Sequence, residues 1–311
     1  MVAARSLEGR VTASAKPDTS PVTVADLAIQ ALIARRLCQE FPNDALMAEE
    51  DASLLRAEPD GVISRQVVEI VRHVISDANS EQLVTWIERG GMGTSSRIWT
   101  LDPIDGTKGF LGGRQYVLAL ALIVGGVVRL AVIGCPRLSL VPFGGSVRID
   151  EKPSNGGIAI AVRGLGAWWN AVGEQTCRRL EVSACRDAST ARVVESFERH
   201  HGDPERCARV LQLLGNDRPV LLMDSQAKHV TVAAGVSDLL MRFPPDATFH
   251  DSVWDQAAGS LLIEEAGGRV TDINGGPLNF ATGRRLLRNE GMLASNALLH
   301  AAALEAVHRA T

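Results

Sequence analysis

The amino-acid sequence predicts an α/β fold of the layered α+β type, built from two subdomains. Residues 1–185 contain two pairs of strand-like runs beside helical segments, which indicates an antiparallel sheet flanked by helices. Residues 186–311 alternate short strand and helix patterns, which is typical of a smaller α/β layer. A chain of 311 residues is long enough for two modest domains with a sizeable core.

Hydrophobic periodicity and turn residues predict the elements of the first subdomain. In chain order they are a helix over 24–40 stopped by Pro42, a strand over 45–48, a helix over 62–75, a polar mobile loop over 77–96, a strand over 97–101, a hairpin of 116–124 with 127–135, a second hairpin of 157–163 with 166–172, and a short strand over 180–183. The first helix places Asp26 in its first turn, and the strand after it delivers Glu49 and Glu50 to its end.

The second subdomain is predicted from its alternating pattern. In chain order we expect a strand over 193–195, a helix over 203–214, a strand over 219–223, a helix over 226–234, a strand over 237–243, a helix over 253–266, strands near 268–272 and 292–295, and a helix over 297–308. The two parts together would carry the acidic and basic side chains described below.

Composition excludes several classes of function. Hydrophobic residues make up 46% and charged residues 22% of the chain, and the formal net charge is −4, which indicates a soluble globular protein without a footprint for nucleic acid. No apolar run is long enough to span a bilayer. The five cysteines are an odd number without C-x-x-C spacing, which favours a reducing compartment. We expect a monomeric cytoplasmic protein, with an organelle as the other possibility, and neither a nucleic acid nor a membrane as partner.

Two carboxylates three residues apart, Asp102 and Asp105, lie in the motif D-P-I-D-G-T. Pro103 lacks the N–H that a strand needs, so we expect the preceding strand to end here and to aim both side chains at one point. Like charges held this close need a cation between them or must take up a proton, and a hard cation such as Mg²⁺ suits all-oxygen ligands. The alternative is an ordinary Asp-Pro turn on the surface.

A second acidic motif, W-D-Q-A-A-G, begins at Trp254. It opens a helix with one apolar-leaning face, so Asp255 lies in the first turn, where the positive end of the helix favours an anion. Ser252 and Asp255 together resemble a capping box, and capping alone is the structural alternative for this carboxylate. The small residues that follow Asp255 allow something to pack against the start of the helix.

Together these motifs resemble the lithium-sensitive, magnesium-dependent phosphatase superfamily that includes inositol monophosphatase and fructose-1,6-bisphosphatase. Within it, the 3'(2'),5'-bisphosphate nucleotidases of plants and fungi are the most similar, on S-P-V-T-V-A-D at 20–26, K-G-F at 108–110, G-C-P at 134–136, D-S-Q-A-K at 224–228 and E-A-G-G at 265–268. The similarity runs from about Lys16 to about Leu304. It implies an inositol-monophosphatase-like sandwich of alternating α-β-α-β-α layers, with the site between two subdomains.

The resemblance also implies roles for individual residues. The ligands of two to three Mg²⁺ ions would be Glu49, Asp102, Asp105, Asp255 and the carbonyl of Ile104. Asp26, Thr107 and Glu49 would order and activate the attacking water. Contacts to substrate would come from Gly106, Thr107, His201, Ser225, Lys228, Arg242 and Asp255. Taken alone, Ser225 could be a helix cap, and Lys228 and Arg242 could be solvated surface groups.

The implied reaction is Mg²⁺-dependent hydrolysis of the 3'-phosphate of 3'-phosphoadenosine 5'-phosphate, or of its 5'-phosphosulfate form, with inhibition by Li⁺. A phosphatase of inositol phosphates is the alternative within the same class. A nucleotide-binding protein with reduced turnover is the alternative from another class. It is suggested by the roughly 15 residues before Lys16, where the family has a long helix.

Overall fold

Residues 1, 4–5, 7–8, 13–15, 21–91, 95–143, 146–149, 156–198, 202–246 and 248–310 are described by the structure, a computed structural model. Its strands are β1 (Ala13–Ala15), β2 (Pro21–Thr23), β3 (Ala45–Ala48), β4 (Arg97–Asp105), β5 (Val117–Val124), β6 (Val127–Cys135), β7 (Leu140–Phe143), β8 (Ser146–Ile149), β9 (Gly157–Val162), β10 (Gly166–Ala171), β11 (Arg178–Arg179), β12 (Val193–Ser196), β13 (Leu221–Met223), β14 (Leu239–Arg242), β15 (Arg269–Thr271) and β16 (Met292–Ser295). Its helices are α1 (Val24–Glu40), α2 (Ser53–Ala57), α3 (Val62–Arg72), α4 (Ser80–Glu88), α5 (Thr107–Leu111), α6 (Pro204–Leu213), α7 (Ala227–Ala233), α8 (Val253–Glu265) and α9 (His300–Arg309).

Two sheets organise these elements. The larger has seven strands in the order β11-β10-β9-β6-β5-β4-β3, and all its pairs are antiparallel except β3 with β4. The smaller has five strands in the order β13-β12-β14-β16-β15, with parallel pairing on either side of β12. The sequence had predicted an antiparallel sheet, whereas the larger sheet is mixed. The difference arises because the chain returns from β3 to the parallel strand β4 through helices instead of a hairpin.

Helices separate and cover the sheets. Helix α8 packs on β4, β5, β6, β9 and β10 of the larger sheet and on β15 and β16 of the smaller one, and α7 packs on α8 and on β14. Helix α1 covers the outer face of the larger sheet with α3 and α4 behind it, and α6 packs with α9 against the smaller sheet. This arrangement is the predicted α-β-α-β-α sandwich, and its largest apolar cluster lies around α7 and α8 between the sheets.

Several predicted elements are confirmed. Helix α1 runs over residues 24–40 with Asp26 in its first turn, where Thr23 and Asp26 form a capping box. The hairpin of β5 and β6 turns at Gly125 and Gly126, which both have positive φ, as a two-residue turn of this kind requires. The five cysteines are free thiols. Among the described residues, no helix combines the length and the apolar character needed to cross a membrane.

Several expected elements were wrong in extent or kind, among them the helix predicted over 297–308, which begins at His300. Residues 80–88 form helix α4 rather than part of a mobile loop; a capping box between Asn79 and Gln82 starts it, and the burial of Leu83 and Ile87 holds it. The helix predicted over 62–75 ends at Arg72. The short strand predicted over 180–183 lies instead at Arg178–Arg179, where it pairs with β10.

The sequence had predicted that strand β4 stops at Pro103. In the structure the strand continues to Asp105. Asp102 pairs with Ala119 and Asp105 with Val117, so one residue more lies on β4 than on β5 in this interval. That is a β-bulge, which leaves a residue out of the ladder and therefore tolerates a proline. The bulge changes the direction of the strand end that carries both carboxylates.

Candidate active site

A cavity of about 1290 Å³ lies where the ends of the two sheets meet, and it brings most of the predicted site residues together. Those that line it are Glu49, Asp102, Ile104, Asp105, Gly106, Thr107, Ser225, Lys228, Arg242 and Asp255. Asp26 lies behind this lining and is fully buried. His201 lies outside the described residues, so its predicted contact with substrate stays a prediction.

Three elements present the acidic side chains. Ala48 of β3 pairs with Leu101 of the parallel strand β4, and the N–H of Glu49 donates to the Leu101 carbonyl oxygen at 3.1 Å. Glu49 therefore leaves its strand beside Asp102, because the carboxyl ends of parallel strands meet at one edge of a sheet. Asp255 enters from the first turn of α8, on the side of the smaller sheet.

The carboxylates strongly perturb one another. Burial raises the pKa of Asp102 well above its usual range, and the negative charges of Glu49, Asp105, Asp255 and Asp26 raise it further. Burial likewise raises the pKa of Asp255 to about 8; the charge of Arg242 opposes this rise, and the charges of Asp105, Asp251 and Glu49 add to it. Ionising this cluster without a cation is therefore costly.

The donor set fits a hard divalent cation. The Oδ1 atom of Asp102 is buried and has no hydrogen-bond partner among the described residues. No three acidic, histidine or cysteine side chains of the described residues are already spaced as a metal cage. A bound cation would satisfy the Asp102 oxygen and offset the charge repulsion within the cluster. Carboxylate and carbonyl oxygens are the ligands that Mg²⁺ prefers.

Asp105, at the end of β4, is held by the turn that precedes α7. Its Oδ2 atom accepts a hydrogen bond from the backbone N–H of Gln226 at 2.6 Å. Burial raises the pKa of Asp105, while the charge of Lys228 and the hydrogen bonds from Gln226 oppose that rise. The position of this carboxylate thus depends on the turn that precedes α7.

Gly106 and Thr107 form the start of the short helix α5. Gly106 has φ of 88°, a conformation that favours glycine, and the Thr107 hydroxyl donates to the Ile104 carbonyl oxygen at 3.2 Å. Asp26 accepts hydrogen bonds from the backbone N–H and the hydroxyl of Thr23 at 2.8 and 2.6 Å. The pairing of Asp26 with the Thr107 hydroxyl stays a prediction.

The capping box predicted between Ser252 and Asp255 is wrong. The Ser252 side chain makes no capping bond, and its Oγ atom accepts from Nη1 of Arg285 at 2.8 Å. Asp255 is therefore not held in a capping box with Ser252, and it lines the cavity.

Basic side chains face the carboxylates. Lys228 is only 7% exposed, and its ammonium donates to the carbonyl oxygens of Ser225 at 2.9 Å and Met223 at 3.3 Å. Burial lowers its pKa to about 8. The Nε atom of Arg242 donates to Asp251 at 2.5 Å. Burial lowers the pKa of Arg242, but the negative charge of Asp251 contributes to a net rise. The alternative that Lys228 and Arg242 are solvated surface groups is therefore wrong.

Ser225 adopts a backbone conformation that is unusual for a residue with a side chain. Its φ is 66°, in the left-handed region. Its hydroxyl donates to the Asp224 carbonyl oxygen at 2.6 Å and accepts from the Ala227 N–H at 3.2 Å. The helix-cap alternative is thus partly right, because this hydroxyl does bond at the start of α7 while the residue also lines the cavity.

Two arginines near the cavity were missed by sequence reasoning. Arg114 donates to Asp224 at 2.7 Å and to Glu198 at 2.6 Å, so it links the segment before β5 to the segments that follow β13 and β12. Arg284 donates to the Ala48 carbonyl oxygen at 2.8 Å, next to Glu49, and its guanidinium lies 4.5 Å from the ring centroid of Trp254. Neither lies in a motif with chemical meaning, and only the tertiary structure brings them to the site.

Fold and site now place the chain in a class. It belongs to the inositol monophosphatase family, whose model matches residues 2–311. Among curated relatives, a 3'(2'),5'-bisphosphate nucleotidase of Emericella nidulans is 35% identical, covering 94% of this chain and 89% of its own length. Proteins with the same name from Schizosaccharomyces pombe and Oryza sativa are 37% and 36% identical; each alignment covers 95% of this chain, and 85% and 86% of the relative, respectively.

Solved structures agree on the fold. An IMPase of Thermotoga maritima has a TM-score of 0.67 at 22% identity, covering 99% of this chain and 92% of that one. An IMPase/NADP phosphatase complexed with Mg²⁺ and phosphate has a TM-score of 0.60 at 18% identity, covering 96% and 86%. The predicted fold class and family are therefore confirmed.

Proposed function

We propose that this protein is a metal-dependent phosphatase that removes the 3'-phosphate from 3'-phosphoadenosine 5'-phosphate, or from its 5'-phosphosulfate form, and releases phosphate. The observation that carries the proposal is the meeting of Glu49, Asp102, Asp105 and Asp255 in one cavity with Lys228 and Arg242. The names of the curated relatives support this substrate over inositol phosphates.

The four carboxylates, together with the Ile104 carbonyl, would hold two to three Mg²⁺ ions. Bound Mg²⁺ neutralises phosphate charge and lowers the pKa of a coordinated water. Support comes from the buried Oδ1 atom of Asp102 and from the raised pKa values, because a cation would remove the cost of ionising the cluster. A related fold, that of the IMPase/NADP phosphatase, has been solved with Mg²⁺ and phosphate.

The chain's own residues would act in two ways. Glu49 would orient the attacking water, and the Thr107 hydroxyl, paired with Asp26, would accept a proton from that water while passing its own to the Asp26 carboxylate. Gly106 and Thr107, at the start of α5, would place backbone N–H groups on the phosphate. Charge and positioning would then supply most of the rate enhancement, as is general in phosphoryl transfer.

Selection of a nucleotide with two phosphates would rest on Lys228 and Arg242. A lysine ammonium has three donors, and the Ser225 and Met223 carbonyl oxygens take two of those on Lys228. We assign the third to the phosphate that is not hydrolysed, with Arg242 and Ser225 beside it. His201 and Asp255 would complete the contacts to the substrate.

The remaining expectations also belong to this proposal. The chain would divide into two subdomains, residues 1–185 with most of the metal carboxylates and residues 186–311 with the nucleotide contacts and Asp255. It would act as a cytoplasmic monomer on a small nucleotide, without a nucleic acid or membrane partner.

The decisive measurement is phosphate release from 3'-phosphoadenosine 5'-phosphate with and without Mg²⁺. We expect Mg²⁺-dependent release, inhibition by Li⁺, and a loss of at least about 100-fold in Asp105→Asn, since a metal ligand is removed. Asp217→Asn, at an exposed position, is the matched control and should keep full activity. Release only from an inositol phosphate would replace the proposed substrate, and no release from either would refute the proposal.

A further inference from the structure

Gln226 lies between two carboxylates that reach the cavity from different subdomains. Asp105 ends β4 of the larger sheet, and Asp255 lies in the first turn of α8. Gln226 stands in the turn before α7 and is only 2% exposed. Its place at the junction makes it a bridge between the two ligand-bearing elements.

Three hydrogen bonds form this bridge. The backbone N–H of Gln226 donates to Oδ2 of Asp105 at 2.6 Å. Its side-chain Nε2 donates to the Trp254 carbonyl oxygen at 3.0 Å, and its Oε1 accepts from the Gly259 N–H at 2.9 Å. A side-chain amide has a donor and an acceptor end, and here both ends are used on the backbone of α8.

The two contacts on α8 flank Asp255. Trp254 is its direct neighbour, and the Gly259 N–H is the donor that a regular helix would direct at the Asp255 carbonyl oxygen. Gln226 therefore holds the backbone of the turn from which the Asp255 side chain projects. Any movement of this turn relative to Gln226 would change the distance between Asp255 and Asp105.

The turn that carries Gln226 is itself anchored. Arg114 donates to Asp224 at 2.7 Å on one side, and Asp105 accepts from Gln226 on the other. Between them Ser225 takes its left-handed conformation, which persists only where the surroundings hold it. A rigid turn is what a bridge between two ligands requires.

We propose that Gln226 is a positioning residue that sets the spacing of Asp105 and Asp255 and thereby the affinity for the divalent cation. The inference rests on the proposed metal-dependent function and adds a residue of the cavity lining whose hydrogen bonds go to Asp105 and to the backbone of α8. Groups that orient metal ligands in this way typically change metal affinity by 10- to 100-fold when they are removed.

The test compares Gln226→Met, which keeps the approximate volume but loses both amide contacts, with Asn216→Leu. Asn216 is a matched buried amide outside the cavity lining, and its side chain donates to the carbonyl oxygens of Ala188 and Ala191 at 2.8 and 2.9 Å. Calorimetry with Mg²⁺ alone measures binding without turnover. We expect the Kd for Mg²⁺ to rise about 10- to 100-fold in Gln226→Met and to stay unchanged in Asn216→Leu, even though both variants melt at lower temperature.

Kinetics add a second readout. At saturating Mg²⁺, KM for the nucleotide should stay within about twofold in Gln226→Met, because substrate contacts are intact, while the Mg²⁺ concentration for half-maximal rate rises with the Kd. Gln226→Asn keeps the amide on a shorter stem and serves if the methionine variant does not fold; it should show a smaller rise in Kd.

The outcomes separate the two proposals. An unchanged Kd in a folded Gln226 variant, or an equal rise in Asn216→Leu, would overturn the role of Gln226 and leave the phosphatase proposal standing. A wild-type protein that binds no Mg²⁺ would overturn both.

Discussion

Glu49 follows the end of β3 beside Asp102 of the parallel strand β4, and the Glu49 N–H donates to the carbonyl oxygen of Leu101, the residue before Asp102. This backbone bond brings two acidic side chains to one edge of the sheet regardless of their mutual repulsion. The fold thus holds acidic side chains close together, at a cost in free energy when they are ionised without a cation.

Asp102→Asn should stabilise the metal-free protein while removing activity. The unfolded chain releases the Asp102 proton near pH 4, whereas burial and the neighbouring carboxylates keep the pKa high in the folded chain. Ionised Asp102 therefore costs stability at neutral pH, and asparagine removes that cost. Thermal melting without Mg²⁺ should show a higher Tm by about 2 °C or more at pH 7–8. A lower Tm than wild type would contradict the electrostatic account.

Lys228→Met should discriminate between substrates with one and two phosphates. If this ammonium binds the phosphate that is not hydrolysed, its loss removes a charge-assisted hydrogen bond worth about 1.5–3 kcal/mol, or roughly 10- to 100-fold in KM. Adenosine 3'-monophosphate lacks that phosphate and should show little change in KM. Steady-state kinetics on both substrates supply the comparison, and an equal increase for the two would argue against the assignment.

Arg114→Leu should destabilise the protein more than loss of an exposed ion pair does. Arg114 contacts Glu198 and the nearly buried carboxylate of Asp224, which would be left unpaired. We expect a loss of about 2–4 kcal/mol in the free energy of unfolding. Arg56→Leu breaks the more exposed pair with Glu88 and should cost about 1 kcal/mol or less.

Urea denaturation of both variants measures the difference. The double variant Arg114→Leu with Asp224→Asn should recover part of the loss, because it removes the stranded charge. Equal costs for the two arginine variants would mean that the Arg114 contacts contribute no more than a surface pair.

Stability should fall in mildly acidic solution partly because of His300. Burial lowers its pKa from 6.5 to about 4, and its ring contacts the hydroxyls of Thr271 and Ser295 at 3.0 and 2.9 Å. The unfolded chain takes up a proton below pH 6.5 and the folded chain only below about pH 4, so stability is lost as the pH falls through that window. His300→Gln should melt with a weaker dependence on pH between 6.5 and 4. An identical dependence would assign the acid sensitivity to other groups.

Local sequence was sufficient where local chemistry decides the structure. The helix over residues 24–40 was predictable because Thr23 and Asp26 satisfy its first N–H groups and Pro42 follows its end. The β5–β6 hairpin was predictable because Gly125 and Gly126 accept positive φ at no steric cost. The acidic motifs likewise pointed to the cavity, since strand ends and helix starts are where such side chains gather.

Sequence reasoning failed where a distant partner changes the local preference. Pro103 would end an isolated strand, but pairing with β5 carries β4 past it through a bulge. Ser252 would cap α8 with Asp255, but Arg285 takes its hydroxyl oxygen. The helix over residues 80–88 is a different case, because its local signals are present in the sequence: Asn79 and Gln82 form a capping box, and Leu83, Trp86 and Ile87 have helical spacing.

By itself, the sequence determined most of the order of helices and strands and the presence of a surplus of carboxylates followed by basic groups, because both depend on neighbours along the chain. Only the tertiary structure decided that Arg114 contacts Asp224 and that Gln226 spans Asp105 and the start of α8. The contacts of Arg114 with Asp224 and of Gln226 with Asp105 link residues more than 100 positions apart, and the contact of Gln226 with Trp254 links residues nearly 30 positions apart. Their geometry follows from how the two sheets pack around α7 and α8.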